Sequence, residues 1–421
     1  MTPLLFSTLF VGFLIVALVV QFWLASRQIR HINLNRHAVP ADFAGKVSLD
    51  AHQKAADYTI AKTKLSMLSL IVSTVVLVGF TLLGGLQWLS VVIFGLTGAG
   101  MAYEISLLLA FVAISGLIDL PFNFYKQFVL EEKFGFNKMT VKLFVLDMLK
   151  GLGLGLVLGL PLVWVILTLM DKSGDLWWLY AWAVWSGFQL LMLVLFPTLI
   201  APLFNKFVPL DDAALRTRIE ALMQRVGFAS QGLFVMDGSK RSAHGNAYFS
   251  GFGAAKRIVF FDTLLSRLAP HEIEAVLAHE LGHFKLKHIV KRISMMFAFS
   301  LIFLAILGYL KTQTWFYTGL GVDPMLLASG GGNNAMALIL FMLVLPVFTF
   351  LLSPLTSIGS RKHEFEADAF AAKHTNAGDL VSALVKLYED NASTLTPDPL
   401  HSAFYDSHPH ASIRINKLLA S

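Results

Sequence analysis

The sequence lacks cysteine altogether and is poor in charge. None of its 421 residues is Cys, which excludes disulfide bonds, a thiolate nucleophile and a cysteine-ligated zinc site. Any bound metal ion must therefore be held by His, Asp or Glu. Charged residues make up 14% of the chain and hydrophobic residues 56%, and the mean hydropathy is +0.66. This composition argues against two or three soluble domains and predicts a chain that lies mostly in lipid.

Long apolar runs predict an all-α, multi-pass membrane protein. Seven of them are long enough to cross roughly 30 Å of hydrocarbon as helices. They lie near residues 3–25, 65–84, 100–121, 143–170, 176–199, 290–310 and 336–355. Leu86 to Gly98 is also apolar, and it could be an eighth span, the start of one long tilted helix, a re-entrant piece or an interfacial helix. The first run has no basic residue before it and no clear cleavage site after it, so a retained helix is favoured over a signal peptide.

The distribution of positive charge predicts the orientation in the bilayer. The net charge of +6 comes mainly from Lys and Arg between the apolar runs, which is typical of topology signals and predicts no nucleic-acid partner. Segments 26–63, 122–142 and 200–289 are rich in these residues, whereas 171–175 and 311–335 contain one Lys each. The positive-inside rule places the N-terminus outside and the polar segments, with the C-terminus, in the cytoplasm. Seven spans satisfy this arrangement and eight do not.

Two polar blocks, residues 205–289 and 356–421, flank the last pair of spans and are predicted to form one small α+β unit. The predicted division is 1–204 for spans one to five, 205–289 and 356–421 for the two parts of this unit, and 290–355 for spans six and seven. The periodicity predicts a helix at Ala213–Val226, strands at Leu233–Met236 and Arg257–Phe261, a helix from Pro270 to beyond His288, and a helix from Ser360 to His374.

The run His279-Glu280-Leu-Gly-His283 carries the chemistry. On a helix, His279 and His283 are one turn apart on one face, so both imidazoles can reach one ion at roughly 2.0–2.1 Å. Glu280 is adjacent but not a ligand. It faces the open position of the ion, where a carboxylate can take a proton from water. The pattern predicts one hydrolytic Zn2+ ion. The alternative is a polar stripe facing water or an intramembrane cavity.

A hydrolytic zinc ion needs a third protein ligand. His288 is five residues past His283 and would point away from the ligand face of a continuous helix. Farther along, Glu364 and Asp368 are at i and i+4 on one helical face. Glu364 is the favoured ligand, and Asp368 could hold the imidazole N–H of a ligand. Spacing alone leaves three other ligands open: His363, Glu366 and Asp368.

Several motifs in order resemble the type 1 CAAX prenyl protease family of integral-membrane zinc metallopeptidases. The resemblance runs from about residue 55 to the C-terminus. Its motifs are Glu131-Glu-Lys-Phe-Gly-Phe-Asn-Lys138, Pro197-Thr-Leu-Ile-Ala-Pro-Leu-Phe-Asn-Lys206, Asp237-Gly-Ser-Lys-Arg-Ser242, Asn246-Ala-Tyr-Phe-Ser-Gly251, Phe261-Asp-Thr-Leu-Leu265, the His279-to-His283 run and Glu364-x-x-x-Asp368. Each motif is modest, but their joint order is specific.

The resemblance implies the architecture and the remaining roles. Seven helices would enclose a large water-filled chamber in the membrane, with a zincin-like unit capping its cytoplasmic side. Glu364 would be the third zinc ligand and Asp368 its partner. The resemblance further implies substrate contacts for Asn246, Ala247 and Tyr248 on an edge from Asn246 to Gly251, a catalytic role at the oxyanion or substrate for His408, and a supporting role for Arg414.

The implied substrate is a peptide or protein with a prenylated C-terminal CAAX sequence, met at the lipid bilayer. Nothing in the sequence itself reads a prenyl group, so quality control of membrane proteins by the same chemistry is the nearest alternative. A third hypothesis, of another class, is a helical transporter or channel with a structural zinc site. The third hypothesis predicts that Glu280 is dispensable.

Overall fold

Helices make up most of the chain in the computed structural model, which describes residues 1–228, 232–250, 257–324 and 333–420. In chain order they are α1 (Pro3–Asn35), α2 (Leu49–Phe80), α3 (Gly85–Thr97), α4 (Met101–Tyr125), α5 (Val141–Leu154), α6 (Leu160–Lys172), α7 (Trp177–Leu195), α8 (Ala201–Phe204), α9 (Ala213–Arg225), α10 (Asp262–Leu265), α11 (Pro270–Lys285), α12 (His288–Leu310), α13 (Thr314–Thr318), α14 (Asn334–Thr349), α15 (Ser353–His374), α16 (Ala377–Asp390), α17 (Pro399–Tyr405) and α18 (Ala411–Leu419). The described strands are β1 (Phe207–Pro209), β2 (Leu233–Met236), β3 (Ala247–Ser250) and β4 (Arg257–Phe261).

Seven continuous helices in the described part of the chain are long and apolar enough to cross a membrane, which confirms the predicted number. They are α1, α2, α4 with its extension to Glu131, α5 joined to α6, α7 joined to α8, α12, and α14 joined to α15. Five of them bury only 6–11% of their most apolar window inside the protein. Most of the surface of these five helices is therefore open to lipid or water and is not packed inside the protein.

The second span begins earlier than predicted. Its predicted range was 65–84, but α2 runs from Leu49 to Phe80. The hydroxyl of Ser48 accepts a hydrogen bond from the backbone N–H of Ala51 at 3.1 Å, which caps the helix start. No Pro or Gly follows before Gly79, so the helix continues without interruption from this cap.

The apolar run after α2 forms the separate helix α3 and is not an eighth span. With 13 residues it is about 20 Å long, too short for about 30 Å of hydrocarbon. Gly84 (φ 77°) precedes it and Gly98 (φ 67°) ends it, both with positive φ. The break at Gly98 also excludes one long tilted helix, which leaves a re-entrant or interfacial helix.

A four-stranded sheet lies in the first polar block, in the order β1-β2-β4-β3. β2 and β4 are parallel, and β1 and β3 pair with them antiparallel. The side chains of Ile258, Val259 and Phe260 in β4 are all buried, as expected for a central strand covered on both faces. The two predicted strands have their predicted bounds, and β1 and β3 complete the sheet.

Side chains from both polar blocks share one hydrophobic core. Leu215, Phe260 and Leu277 from the first block pack in the same cluster as Leu380 and Ile415 from the second. The two blocks are therefore one folded unit, although two membrane spans separate them in sequence.

Two helix boundaries differ from prediction and matter for the site. The helix predicted to run beyond His288 ends at Lys285, because Lys287 adopts a left-handed conformation (φ 57°) and α12 then begins at His288. The seventh span was predicted to end at 355. It instead continues through one turn of 3-10 helix at Phe350–Leu352 into α15. The helix that carries Glu364 is thus an extension of a membrane span.

Candidate metal centre

The start of α11, the helix of the predicted zinc motif, is fixed by one buried carboxylate. Glu272 accepts a hydrogen bond from the backbone N–H of Ala269 at 2.7 Å, which satisfies a donor that the helix itself leaves unpaired. The same carboxylate accepts from the Ser382 hydroxyl at 2.6 Å and from Lys386 Nζ at 2.8 Å. These bonds tie α11 to α16.

The helices α11 and α15 approach closely because Gly282 has no side chain. A Cβ at Gly282 would lie 3.1 Å from Cα of Ala367 and 3.2 Å from its carbonyl oxygen. Those distances are tight for carbon against a helix backbone. The crossing brings the face of α15 that carries Glu364 and Asp368 against the motif histidines.

Three side chains converge on one point. Nε2 of His279 lies 3.2 Å from Nε2 of His283 and 3.4 Å from Oε2 of Glu364. Nε2 of His283 lies 3.3 Å from Oε1 of Glu364. Oε2 of Glu364 is buried and accepts no hydrogen bond from the described residues, although the Arg414 guanidinium lies 3.7 Å from it. Two imidazoles and a carboxylate placed in this way could hold a metal ion, and a cation would supply the close partner that this buried oxygen lacks.

Asp368, one of the alternative ligands, instead faces the back of His279. Its Oδ1 lies 2.8 Å from Nδ1 of His279. The Arg414 guanidinium donates to both carboxylate oxygens of Asp368, at 2.8 and 2.6 Å. Asp368 and Arg414 are 3% and 5% exposed, so this is a buried bidentate pair. It orients His279 with Nε2 toward the point of convergence.

His408 lies at the open side of the cluster. Its Nε2 is 3.4 Å from Oε1 of Glu364, and its side chain is 60% exposed. The Ser407 hydroxyl lies 2.9 Å from its other ring nitrogen. His408, unlike the three converging residues, can be reached from solvent.

The predicted substrate residues lie at an edge of the sheet. Ala247 and Tyr248 belong to β3, which pairs with β4 and with no other described strand. β3 also packs against α11. Asn246 is exposed just before the strand, and its side-chain oxygen accepts from the backbone N–H of Ala247 at 2.8 Å. The last predicted residue of this edge, Gly251, lies outside the described residues.

Glu280 follows His279 on α11 and is partly exposed. It makes no hydrogen bond or ion pair with any residue in the described ranges. A carboxylate with free lone pairs beside a metal site can accept a proton from water.

Comparison with known proteins decides the family. Residues 28–206 match the family model described as CAAX prenyl protease N-terminal, five membrane helices, and residues 209–421 match peptidase family M48. The chain belongs to the CAAX prenyl protease family. It is an integral-membrane metalloendopeptidase of the M48 peptidases, as the motifs predicted.

Members of this family match along the chain. The CAAX prenyl protease 1 homolog of Arabidopsis thaliana is 38% identical over 409 residues, covering 95% of this chain and 94% of that protein. The CAAX prenyl protease 1 of Saccharomyces cerevisiae is 40% identical over 325 residues, covering 73% of this chain and 70% of that protein. The crystal structure of S. mikatae Ste24p matches with a TM-score of 0.88 and 33% identity, covering 98% of both chains. The shared architecture confirms the predicted fold class.

Sequence reasoning missed a histidine that anchors the edge strand of this family member. Nδ1 of His244 lies 3.1 Å from the side-chain oxygen of Asn391, which also accepts from the backbone N–H of Gly245 at 3.2 Å. Nε2 of His244 lies 3.4 Å from Oε2 of Glu131. These contacts tie the start of β3 to the ends of α16 and of the third span. Only its place between two matched motifs marked His244 in the sequence.

Removal of the Arg414 charge should strongly destabilise the protein. Arg414→Met leaves Asp368 charged and buried with His279 as its one remaining partner among the described residues, and breaking a buried ion pair in this way costs about 3–5 kcal/mol in comparable cases. We expect a clearly lower thermal unfolding midpoint in detergent, measured by tryptophan fluorescence. Arg225→Met is the matched control, because Arg225 pairs with Glu274 but its side chain is 55% exposed, and exposed pairs contribute about 1 kcal/mol at most. Equal unfolding midpoints for the two variants would contradict the conclusion that Arg414 stabilises the buried charge of Asp368.

Proposed function

We propose that this protein is a zinc endopeptidase that removes C-terminal residues from prenylated CAAX proteins. The observation that carries the proposal is the convergence of His279, His283 and Glu364, with a buried carboxylate oxygen that accepts no hydrogen bond from the described residues. The relatives are named as CAAX prenyl proteases, and the described part of the chain has seven helices long and apolar enough to cross a membrane, the medium in which a lipid-modified peptide is met.

Zinc is the metal that suits these residues. Two imidazoles and one carboxylate are the ligand set of a hydrolytic zinc site, which keeps a fourth position open. His279 would bind through Nε2, with Nδ1 held by Asp368 at 2.8 Å. His283 and Glu364 would supply the other two ligand atoms. Zinc bound there supplies Lewis-acid activation of a water molecule and of the scissile carbonyl.

Other residues of the chain transfer the proton, stabilise the oxyanion and position His279. Glu280 takes the proton of the attacking water and delivers it to the leaving amine. His408, exposed at the open side of the cluster, donates a hydrogen bond to the oxyanion that forms when the carbonyl is attacked. Asp368 and Arg414 act through His279, whose orientation they hold.

The substrate would bind to the open edge of β3. An extended peptide adds to a free strand edge through backbone hydrogen bonds and is thereby aligned along it. Asn246, Ala247 and Tyr248 are the contacts on this edge, which packs against the helix of the zinc motif. Backbone recognition of this kind selects extended peptides with little dependence on their side chains.

A cavity beside the metal cluster provides room for the substrate. Its volume is about 790 Å³, and it lies between α1, α2, α16 and the segment 405–414. His408 and Arg414 line one side, and Met67 and Leu70 of α2 line another. A cavity of this size accommodates ligands of several hundred daltons, such as the C-terminal residues of a peptide.

The proposal includes an orientation and a division of the chain. The metal cluster lies on the cytoplasmic side of a lipid bilayer and the N-terminus on the opposite side, which agrees with the positive-inside rule. The catalytic unit consists of residues 205–289 and 356–421, and residues 1–204 and 290–355 form the membrane region.

A pair of peptides that differ only in a farnesyl group tests the substrate. We expect the purified protein in detergent to release the C-terminal residues of both, with kcat/KM at least about tenfold higher for the farnesylated peptide, a difference of about 1.4 kcal/mol. Mass spectrometry of the products measures both rates. Glu280→Gln is the control that assigns any cleavage to this site. Equal rates would overturn the prenyl preference and favour general quality control of membrane proteins.

Zinc binding should release a proton from His279. Burial lowers the pKa of His279, but the nearby carboxylates of Asp368 and Glu364 outweigh burial and raise the pKa to about 9. Below that pH the metal-free imidazole is protonated and must lose its proton to bind zinc. Zinc affinity should therefore fall as the pH drops below about 9, by about tenfold per pH unit for this proton. Calorimetry at pH 7 in two buffers of different ionisation enthalpy measures the release, and a proton count of zero would contradict this prediction.

A further inference from the structure

Two polar side chains that the proposed mechanism does not use lie behind His283. Nδ1 of His283, the ring nitrogen that faces away from the proposed metal position, lies 3.0 Å from Nδ1 of His288. Nε2 of His288 lies 2.8 Å from Oε2 of Glu366. His288 is only 4% exposed, whereas the Glu366 side chain is 36% exposed. The three residues form a chain of contacts from the cluster to the surface.

Ligation through Nε2 of His283 fixes the protons along this chain. A neutral imidazole that binds a metal through one nitrogen carries its proton on the other. Nδ1–H of His283 must then donate, and Nδ1 of His288 is the acceptor within reach. His288 consequently carries its own proton on Nε2 and donates it to Glu366. Each ring nitrogen in these two contacts is then either a donor or an acceptor, and neither contact places two N–H groups against each other.

The fold makes this contact by a sharp turn. In a continuous helix His288 would point away from the face of His283. The left-handed conformation of Lys287 ends α11 and starts α12 at His288, which returns the His288 ring to His283. A left-handed conformation in a residue with a side chain costs about 1–2 kcal/mol, and such strain persists where the surrounding structure enforces it.

We propose that His288 and Glu366 are positioning residues that hold His283 in its metal-binding tautomer and orientation. The inference rests on the proposed metal site. It gives each motif histidine an outer partner: His279 has Asp368 directly, and His283 has Glu366 through His288. Outer partners of this kind typically change metal affinity about 10- to 100-fold.

A second metal ion is the competing explanation, because His288, His363 and Glu366 have ligand atoms within 4.8 Å of one another. Ring geometry argues against it. The rings of His288 and His363 are stacked, with centroids 4.1 Å apart and planes 14° apart. An imidazole binds a metal in the plane of its ring, and one ion cannot lie in two nearly parallel planes at that separation.

The test uses His288→Phe, which keeps a ring stacked on His363 but removes both hydrogen bonds. We expect the dissociation constant for zinc to rise about 10- to 100-fold, measured by competition with a chelator on the full chain in detergent. His288→Gln restores an acceptor and a donor and should recover most of the affinity. His363→Phe is the control outside the chain of hydrogen bonds, and it should bind zinc as the wild type does.

Three results would overturn the proposal. They are unchanged affinity in His288→Phe, equal losses in His288→Phe and His288→Gln, and two zinc ions per wild-type chain with one lost in His363→Phe. If His288→Phe does not fold, Glu366→Ala replaces it, because the exposed Glu366 side chain can be removed without leaving a cavity. We expect Glu366→Ala to weaken zinc binding about tenfold, and unchanged affinity counts against the proposal. A wild type without zinc would instead overturn the proposed function.

Discussion

The Glu280→Gln variant should retain bound zinc and lose nearly all peptide cleavage. Glutamine has the size of glutamate but cannot accept the proton of the attacking water. General acid–base catalysis contributes about 10²- to 10⁴-fold, so we expect kcat to fall by that factor while KM stays nearly constant. Cleavage of the farnesylated peptide measures kcat, and elemental analysis of the purified variant measures zinc.

The matched control is Glu389→Gln, because Glu389 is an exposed glutamate on α16. It should leave both zinc content and kcat unchanged. Full cleavage by Glu280→Gln with zinc still bound would remove the base from the mechanism. A folded chain that binds zinc but never cleaves a peptide would instead fit the transporter hypothesis with a structural zinc.

Glu364→Ala should lose the metal as well as the activity. It leaves two imidazoles at the point of convergence, whereas a stable zinc site in a protein needs three ligands or more. We expect the loss in zinc affinity to exceed the roughly 10- to 100-fold typical of removing only a hydrogen-bond partner of a ligand. Zinc titration with a fluorescent competitor measures this affinity.

The stability of Glu364→Ala gives a second measurement. Zinc that binds only the folded state stabilises it by mass action, so added zinc should raise the unfolding midpoint of the wild type and not that of Glu364→Ala. Glu389→Gln, as the control, should respond as the wild type does. A variant that keeps full zinc at stoichiometric concentration would exclude Glu364 as a ligand and reopen the alternatives among His363, Glu366 and Asp368.

The spans were predictable because a bilayer sets a minimum length for every apolar run. Their outer ends were not. The extension of α2 to Leu49 depends on a polar cap at Ser48, and hydropathy does not register a cap. The extension of the seventh span into α15 was missed for a similar reason. The helix continues beyond the apolar run, and hydropathy detects the apolar residues but not the polar part of the same helix.

Some residues of the site were predictable from local sequence, and others depend on the tertiary fold. His279 and His283 follow from the pitch of one helix, which is local information. Glu364 reaches them through the crossing of α11 and α15 at Gly282, and spacing in the sequence does not encode that crossing. Spacing favoured Glu364 but left His363, Glu366 and Asp368 open, and the ordered motifs of the family supplied the further support for Glu364. His288 is not one of the three converging residues, but the sequence did not predict its contact with Nδ1 of His283, which depends on the positive φ of Lys287.

The joined helix α14–α15 sets the depth at which this enzyme works. Asn334 and Glu364 are about 45 Å apart along the helix axis, and a tilt of 40° still leaves about 34 Å along the membrane normal. A helix that enters the hydrocarbon at Asn334 therefore carries Glu364 past about 30 Å of acyl chains. Glu364 then lies only about 4 to 15 Å beyond the acyl chains of the nearer leaflet. The prenylated Cys of the proposed substrate is three residues from the C-terminus, so its lipid can stay in that leaflet while the peptide reaches the metal cluster.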